Sequence, residues 1–276
     1  MIRTLPNGRS QIIKDEAFVH LTGGVLPEAN LPISGLLENM DEQIRQVDEA
    51  ITREALSNAH GDWYEWFLAI SAWNTFVNRP NANLAILLPN ISQFDVGHLY
   101  NQELAHLIED LRTKVQDVAQ VQLITSNPDF VIIEREVANE FIVNPQPLNQ
   151  FDTDSIIDLN SKYSDFIGRC EFDEILGYIS VKTSFRPDRR LQIAHEGSLM
   201  KAIYIHLQTR KWVINPPGLK YYAIATRVGN SDRNALRTVA THSITTVSSL
   251  PQAAVDDVFE VNSLQRADEV FRQILT

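Results

Sequence analysis

The sequence contains very little cysteine, and this limits the roles that cysteine can have in the protein. Its 276 residues contain one cysteine, Cys170. A single thiol excludes an intramolecular disulfide and a zinc site built from several cysteines. A lone cysteine can be a nucleophile, but it is more often a small buried hydrophobic residue, and we expect that role for Cys170.

Long apolar runs are also missing. No segment approaches the roughly 18–20 apolar residues that a membrane-spanning helix needs. Residues 1–16 lack the apolar stretch of a signal peptide. We therefore expect a cytoplasmic protein that has no membrane partner.

Positive charge is scarce, and its distribution is uneven. The chain has 24 Lys and Arg against 35 Asp and Glu, a formal net charge of −11. That balance alone argues against a nucleic-acid partner. Between Lys182 and Lys211, however, seven Lys and Arg stand against two Asp and Glu. A basic stripe in an acidic protein can bind a polyanion locally, while the remaining surface limits loose binding.

The length of the chain and the positions of its Gly and Pro residues suggest a main domain with an appended region. A chain of this length forms one large domain or a core with a smaller subdomain. Residues 1–60 contain a loop rich in Gly and Pro and a polar helix candidate at 38–57. We therefore predict an N-terminal helical arm or subdomain over 1–60 and the main domain over 61–276.

Hydrophobic periodicity predicts an α/β protein. Apolar residues at helical spacing predict helices over 63–77, 101–116, 196–209 and 263–275. Short runs rich in β-branched and aromatic residues predict strands over 130–134, 178–185, 221–228 and 257–261. The polar stretch 141–160, with two prolines, is typical of a loop. Alternating strands and helices in the second half imply a layered α/β structure.

A lysine interrupts the strand 178–185. Alternation places Tyr178, Ser180, Lys182 and Ser184 on one face of that strand. A lysine between apolar neighbours is either a charged group in a site or an edge-strand residue that faces water.

Two carboxylates and a cluster of arginines accompany Lys182. Asp129 follows a proline at a strand start, which is also common in ordinary turns. Glu196 precedes an apolar helical series, and we expect it in the first turn of a helix, where the helix dipole favours carboxylates in any case. The segment Arg186-Pro187-Asp188-Arg189-Arg190 is either a solvated turn or a reader of G·C pairs, since arginine binds guanine and aspartate accepts from cytosine.

The order of these residues resembles the PD-(D/E)XK nucleases, and more narrowly the NgoMIV-like restriction endonucleases that read a CCGG core. In that group the second carboxylate has left the position two residues before the lysine and comes from the next helix. Here Ser180 occupies the vacated position and Glu196 stands on the next helix, while 52 residues separate Asp129 from Lys182. The Arg-x-Asp-Arg element begins four residues after Lys182, as in the group; Arg190 is not part of that motif.

The resemblance covers about residues 60–210 and implies the rest of the assignment. His60-Gly61-Asp62-Trp63-Tyr64-Glu65 resembles a helix of these enzymes whose glutamate lies near the metal, although Glu65 can also be a solvated helix carboxylate. The implied fold is a mixed central sheet flanked by helices, with residues 61–276 as the endonuclease domain. The implied catalytic residues are Asp129, Lys182, Glu196 and Glu65; Asp129 and Glu196 are the ligands of Mg²⁺.

The same resemblance implies the partners. Arg186, Asp188 and Arg189 would read double-stranded DNA, and Arg190 would contact a phosphate or an outer base pair. A palindromic site implies a homodimer or homotetramer, and a restriction-modification system implies a cognate DNA methyltransferase. Two alternatives remain at this point: a PD-(D/E)XK nuclease of the repair or resolvase type, and a non-catalytic DNA-binding or protein-binding module.

Overall fold

The structure of the protein is a computed structural model that describes residues 1–6, 9–123, 127–244 and 251–276. Its helices in these ranges are α1 (Lys14–Thr22), α2 (Ile33–Val47), α3 (Arg53–Asn78), α4 (Gln102–Ala119), α5 (Arg135–Phe141), α6 (Thr153–Ser161), α7 (Pro187–Lys211), α8 (Asn230–Leu236) and α9 (Leu264–Leu275). Its strands are β1 (Ile2–Thr4), β2 (Ser10–Ile12), β3 (Leu84–Leu87), β4 (Phe130–Ile133), β5 (Ile175–Lys182), β6 (Lys220–Ala225) and β7 (Asp257–Glu260). Strands and helices follow each other along the chain, so the predicted α/β class is confirmed.

A mixed five-stranded sheet forms the centre of the fold. Its strand order is β3-β4-β5-β6-β7; the first two pairs are antiparallel, and the pairs β5-β6 and β6-β7 are parallel. Strand β5 is therefore central, and Lys182 does not lie on an edge strand. Strands β1 and β2 form a separate hairpin.

The two faces of this sheet carry different helices. In the parallel pair, Tyr221 lies opposite Tyr178 and Ala223 opposite Ser180, so these side chains share one face. Helix α7 packs on that face through Glu196, whose carboxylate contacts Tyr221. Helix α9 covers the other face, where Phe130 of β4 contacts a phenylalanine of α9, and α3 packs beside α9.

Helix α3 is the long core helix that the sequence predicts over 63–77, extended toward the N-terminus. It begins at Arg53, after Thr52 caps it by accepting from the Ala55 backbone N–H. Position 60 lies inside α3, and residues on both sides belong to one hydrophobic core. The division between 1–60 and 61–276 stays a prediction. Within the described ranges, no helix combines the length and the apolar character that crossing a membrane requires.

Strand β5 lies three residues before the predicted 178–185, so Lys182 is its last residue, and β6 ends three residues before the predicted 228. Three further differences concern helices. The polar helix predicted over 38–57 is two elements, because α2 ends at Val47 and α3 begins at Arg53. The predicted loop 141–160 contains α6, which begins after Asp152 and Ser155 form a reciprocal cap. Helix α7 begins at Pro187, nine residues before Glu196, since proline is favoured at the first position of a helix.

That last difference changes the location of two site elements. Glu196 lies in the third turn of α7, so the helix dipole does not explain its position. The segment 186–190, for which the sequence suggests a turn, is the cap and first turn of α7. The arginine cluster and Glu196 thus lie on one helix.

Candidate active site

Asp129 is held immediately before β4 by donors from β5. Its Oδ2 accepts from the backbone N–H of Val181 at 2.5 Å, from Lys182 Nζ at 2.7 Å and from the hydroxyl of Ser180 at 3.3 Å. The antiparallel pairing of β4 with β5 brings the start of one strand beside the end of the other. Two residues 53 positions apart in the sequence therefore meet in one ion pair, as the motif predicts.

Lys182 is surrounded by carboxylates. Burial acts to lower the pKa of its ammonium group, but the negative charges of Asp129, Glu65 and Glu196 outweigh burial and raise that pKa. The lysine is therefore a permanent cation that faces three carboxylates at the carboxyl end of β5. Such a group can stabilise negative charge that develops on a phosphate.

Glu196 is buried on α7, with 3% of its surface exposed. The hydroxyl of Tyr221, itself fully buried on β6, donates a short hydrogen bond to Glu196 Oε2. Burial raises the pKa of Tyr221 well above its usual value, and the nearby charge of Glu196 raises it further. Tyr221 therefore remains a protonated donor at any pH at which the protein works.

Gly197 explains how closely α7 approaches the sheet. A Cβ at this position would lie 2.3 Å from the carbonyl oxygen of Ala254 and 3.0 Å from a ring carbon of Tyr221. Real side chains do not tolerate the first of these distances. The absence of a side chain at 197 is thus what allows Glu196 to reach β6.

Glu65 reaches the same cleft from α3. Burial raises the pKa of its carboxyl well above the usual value, and the charge of Asp129 raises it further, while Lys182 acts in the opposite direction. The resemblance implied that this glutamate lies near the other acids, and the structure places it there.

The carboxylates line an open cleft of about 770 Å³. The groups that face it include the acids Asp129, Glu65 and Glu196, the cation Lys182, and Arg189 from the first turn of α7. The cleft lies at the carboxyl end of parallel strands, which is where α/β proteins commonly bind ligands. The side chain of Arg189 and the acidic side chains thus line the same cleft.

The arginine cluster has two environments. Arg186 pairs with Asp188 at 3.2 Å, and both side chains are 63% exposed. Arg189 bonds to Gln192 at 3.1 Å. Arg190 instead turns toward α8 and pairs with Asp232 at 3.1 Å in a less exposed position. Three residues of the cluster therefore face solvent, and the fourth fastens α7 to α8.

Comparison with known proteins identifies the family. The family model described as Cfr10I/Bse634I restriction endonuclease matches residues 26–276. The chain is 43% identical over 247 residues to the Type II restriction enzyme Cfr10I of Citrobacter freundii. The matched region covers 88% of this chain and 86% of that enzyme. The chain belongs to the Cfr10I/Bse634I restriction endonuclease family.

Solved structures of the family share the fold. The crystal structure of the Type IIF restriction endonuclease Bse634I with cognate DNA superposes with a TM-score of 0.89 at 32% identity, covering 100% of this chain and 97% of that one. A second Bse634I structure superposes with a TM-score of 0.87 at 33% identity, covering 99% and 96%. The protein is therefore a type II restriction endonuclease, a site-specific deoxyribonuclease with the PD-(D/E)XK fold that its family implies.

Family membership decides between the functions that the sequence left open. A repair or resolvase nuclease and a non-catalytic binding module are set aside, because the match extends over most of the chain and includes both α2 and α9. The narrower NgoMIV-like grouping, with its CCGG core, is not decided by these comparisons.

The acids of the cleft fit a divalent cation, which restriction endonucleases generally use. Within the described ranges, no group of three or more His, Cys, Asp or Glu is arranged to hold a metal by itself. Mg²⁺ does not require such a group, since it is commonly bound by one or two carboxylates together with waters and phosphate oxygens. Three carboxylates around one lysine leave an excess of negative charge, and their oxygens are the ligands that a hard cation prefers.

Several site residues escaped the sequence reasoning. Tyr221 lies in an apolar strand pattern and Gly197 in a helix interior, so neither sequence context indicates a functional residue. Lys14 of α1 and Asp62 of α3, which form an ion pair at the cleft, were also missed. Asp62 stands in the segment that resembles the family helix, and its place one turn before Glu65 was the available signal.

Proposed function

We propose that this restriction endonuclease cleaves double-stranded DNA in a Mg²⁺-dependent reaction at a palindromic G/C-rich site with a CCGG-like core. The observation that carries the proposal is the cleft in which Asp129, Glu196 and Lys182 face Arg189. The relative Bse634I is described with its cognate DNA, which supports the same class of ligand here. The order of the motifs in the NgoMIV-like group supports the CCGG core.

The catalytic residues divide the work of phosphodiester hydrolysis. Asp129 and Glu196 would hold the cation, and Glu65 would complete the acidic environment. When bound, Mg²⁺ polarises the phosphate, lowers the pKa of a bound water and stabilises the leaving 3′-oxygen. Lys182 contributes a fixed positive charge to the pentacovalent phosphate and helps to orient the attacking water.

The exposed end of α7 would enter the major groove. Arg186 and Arg189 can bind the O6 and N7 of guanine in a bidentate way, and Asp188 can accept from the amino group of cytosine. Arg190 is our remaining candidate for a phosphate or an outer base pair. To make that contact it would have to leave or share Asp232.

A palindrome requires two copies of the chain. Two equivalent sites on opposite strands are related by a twofold axis, so we propose a homodimer as the minimum assembly. A homotetramer would need a second contact surface, and the far end of α7 offers exposed apolar residues for one. There Trp212 is 88% exposed and Ile214 is 86% exposed, at the opposite end of a 25-residue helix from the DNA-reading turn. A cognate DNA methyltransferase would protect the host sites.

Plasmid cleavage tests this proposal. The purified protein is incubated with plasmid DNA and Mg²⁺, with Ca²⁺ or with a chelator, and the fragment ends are sequenced. We expect discrete fragments only with Mg²⁺ and ends that share a CCGG-like core. Discrete fragments whose ends lack CCGG would overturn the core assignment but not the enzyme class.

Site variants test the metal ligands in the same assay. Glu196→Ala should inactivate the enzyme while Ser180→Ala should still cleave, because Glu196 replaces the carboxylate that other nuclease families keep at position 180. Asp129→Ala should abolish cleavage while specific DNA binding in Ca²⁺ persists. Normal cleavage by Glu196→Ala would remove that residue from the site.

A further inference from the structure

We infer that Tyr221 is a positioning residue for Glu196, whose carboxylate its hydroxyl holds through a buried hydrogen bond. Two carboxylates from different elements would then each be oriented by a hydroxyl of the sheet, Asp129 by Ser180 and Glu196 by Tyr221. The inference rests on the proposed function, in which Asp129 and Glu196 hold the metal together.

Each of the two carboxylates has its own hydroxyl donor on the sheet. The hydroxyl of Ser180 donates to Asp129 Oδ2 at 3.3 Å and lies near the Tyr221 hydroxyl. Tyr221 donates to Glu196 Oε2. The donor for Asp129 thus comes from β5 and the donor for Glu196 from β6.

Strand register places these two donors on one face of the sheet. Tyr221 is paired with Tyr178, one alternation before Ser180, and its long side chain extends along the strand face toward the serine. The next residue on that face of β6 is Ala223, directly beside Ser180. A small side chain there leaves the space into which Glu196 enters from α7.

The burial of Tyr221 shows that its hydroxyl is committed to the carboxylate. A buried phenol needs a partner, because an unpaired hydroxyl in the interior is costly. Tyr64, equally buried, donates to the backbone carbonyl of Val261, a partner that any sequence can supply. Tyr221 uses the side chain of Glu196 instead, so rotation of that carboxylate would break a buried hydrogen bond.

A second contact fastens the same two elements. Lys201, 2% exposed on α7, pairs at 2.7 Å with Asp256, which also accepts from the backbone N–H of Tyr221 at 2.8 Å. The helix that carries Glu196 is thereby tied to the residue that holds its carboxylate. Ligand-orienting contacts of this kind typically change metal affinity by about 10–100-fold when they are removed.

The displaced carboxylate gives the hydrogen bond from Tyr221 a specific purpose. A carboxylate at position 180 would be oriented by the strand that also carries Lys182. Glu196 comes from a helix, so its orientation relative to Asp129 needs a contact with the sheet, and Tyr221 provides it.

The experiment compares Tyr221→Phe with Tyr178→Phe in the full-length enzyme. Phenylalanine keeps the ring that packs against Gly197 and removes only the hydroxyl. Tyr178 is the matched control, since it is buried on the same face and its hydroxyl bonds to Tyr100, outside the site. Three quantities are measured: Mn²⁺ binding to the DNA complex by calorimetry, the Mg²⁺ concentration for half-maximal single-turnover cleavage, and the melting temperature.

We expect Tyr221→Phe to weaken Mn²⁺ binding about 10–100-fold and to raise the half-maximal Mg²⁺ concentration by a similar factor. DNA binding without metal should stay unchanged, and Tyr178→Phe should keep the metal affinity of the parent enzyme. Unchanged Mn²⁺ affinity in Tyr221→Phe would overturn the inference. An equal loss of metal affinity in both variants would show a general structural role and would also overturn it.

Two further variants complete the test. Glu196→Gln separates the inference from the proposed function: if this variant binds Mn²⁺ and cleaves normally, the metal assignment fails, whereas if it is inactive and Tyr221→Phe is normal, only the inference fails. Should Tyr221→Phe not fold, Asp256→Asn decides, because it weakens the ion pair that ties α7 to Tyr221. A metal affinity a few-fold weaker in Asp256→Asn supports the inference, and an unchanged one overturns it.

Discussion

Residues 186–190 and residues 196–201 lie on the same helix in opposite environments. At the first turn of α7, Arg186 and Asp188 are 63% exposed and pair with each other. Two to four turns later, Glu196 and Lys201 are almost completely buried and bond to groups of the sheet and of the loop before β7. The buried residues are thus bonded to other elements of the fold, whereas Arg186 and Asp188 are bonded to each other.

The two parts of α7 differ in how much their contacts must change when DNA binds. The buried part already has its hydrogen bonds, so its charges need little reorganisation when a phosphate arrives. The exposed arginines hold weak surface pairs, which contribute little and can be exchanged for base edges at low cost. Because one helix carries both parts, a rigid-body movement of α7 caused by binding at its first turn would also move Glu196.

The largest expected effect is on the buried side. Lys182→Ala should reduce the single-turnover cleavage rate by about 10²–10³-fold or more, since it removes a fixed charge from the transition state. DNA binding in Ca²⁺ should change little. Lys114→Ala, on the exposed side of α4, is the control for loss of a lysine. Cleavage within a few-fold of the parent rate would contradict the assignment of Lys182.

Gly197→Ala tests the contact on which the buried side depends. The added Cβ would collide with the carbonyl of Ala254, so α7 must move away from β6. We expect a destabilisation of about 1–3 kcal/mol, typical of an overpacked interior, measured by denaturant unfolding. Metal affinity should fall with it. Gly61→Ala, a helix position with open space around its Cβ, is the control; equal stability of the two variants would show that α7 can adjust.

On the exposed side, Arg186→Ala or Arg189→Ala should weaken specific binding by about 1–3 kcal/mol per subunit, because a bidentate contact to guanine is lost. Binding to a scrambled duplex should fall much less, as titrations at two salt concentrations can show. Arg190→Ala should also lower stability, since it breaks the pair with Asp232. Equal losses on both duplexes for all three variants would identify the cluster as a phosphate clamp.

The sequence was sufficient for the parts of this site that depend on local pattern and order. The strand that carries Lys182 could be located from periodicity, and Asp129 and Glu196 from the resemblance of the motif order to the NgoMIV-like nucleases. The start of α7 could not, because the charged first turn has no apolar stripe, and only Pro187 indicated a helix. Tyr221 could not be found either, since its role follows from the parallel register of β5 with β6, which no local pattern contains.

The smallest expected effect concerns Glu65 and pH in the metal-free protein. Burial and the charge of Asp129 raise the pKa of Glu65, so the folded state binds its proton more firmly than the unfolded chain does. Stability from this group is therefore present at low pH and is lost as pH rises above the usual glutamate value of 4.5 toward the raised folded value. Glu65→Gln stays neutral and should avoid that loss, so its melting temperature should exceed that of the parent by a margin that grows with pH. Glu109→Gln on α4 is the control for removing a carboxylate far from the cleft, and Ca²⁺ should narrow the margin, because a cation favours the charged form of Glu65. A margin that does not change with pH would show that Glu65 does not titrate against Asp129, and its place among the acids of the cleft would then be structural only.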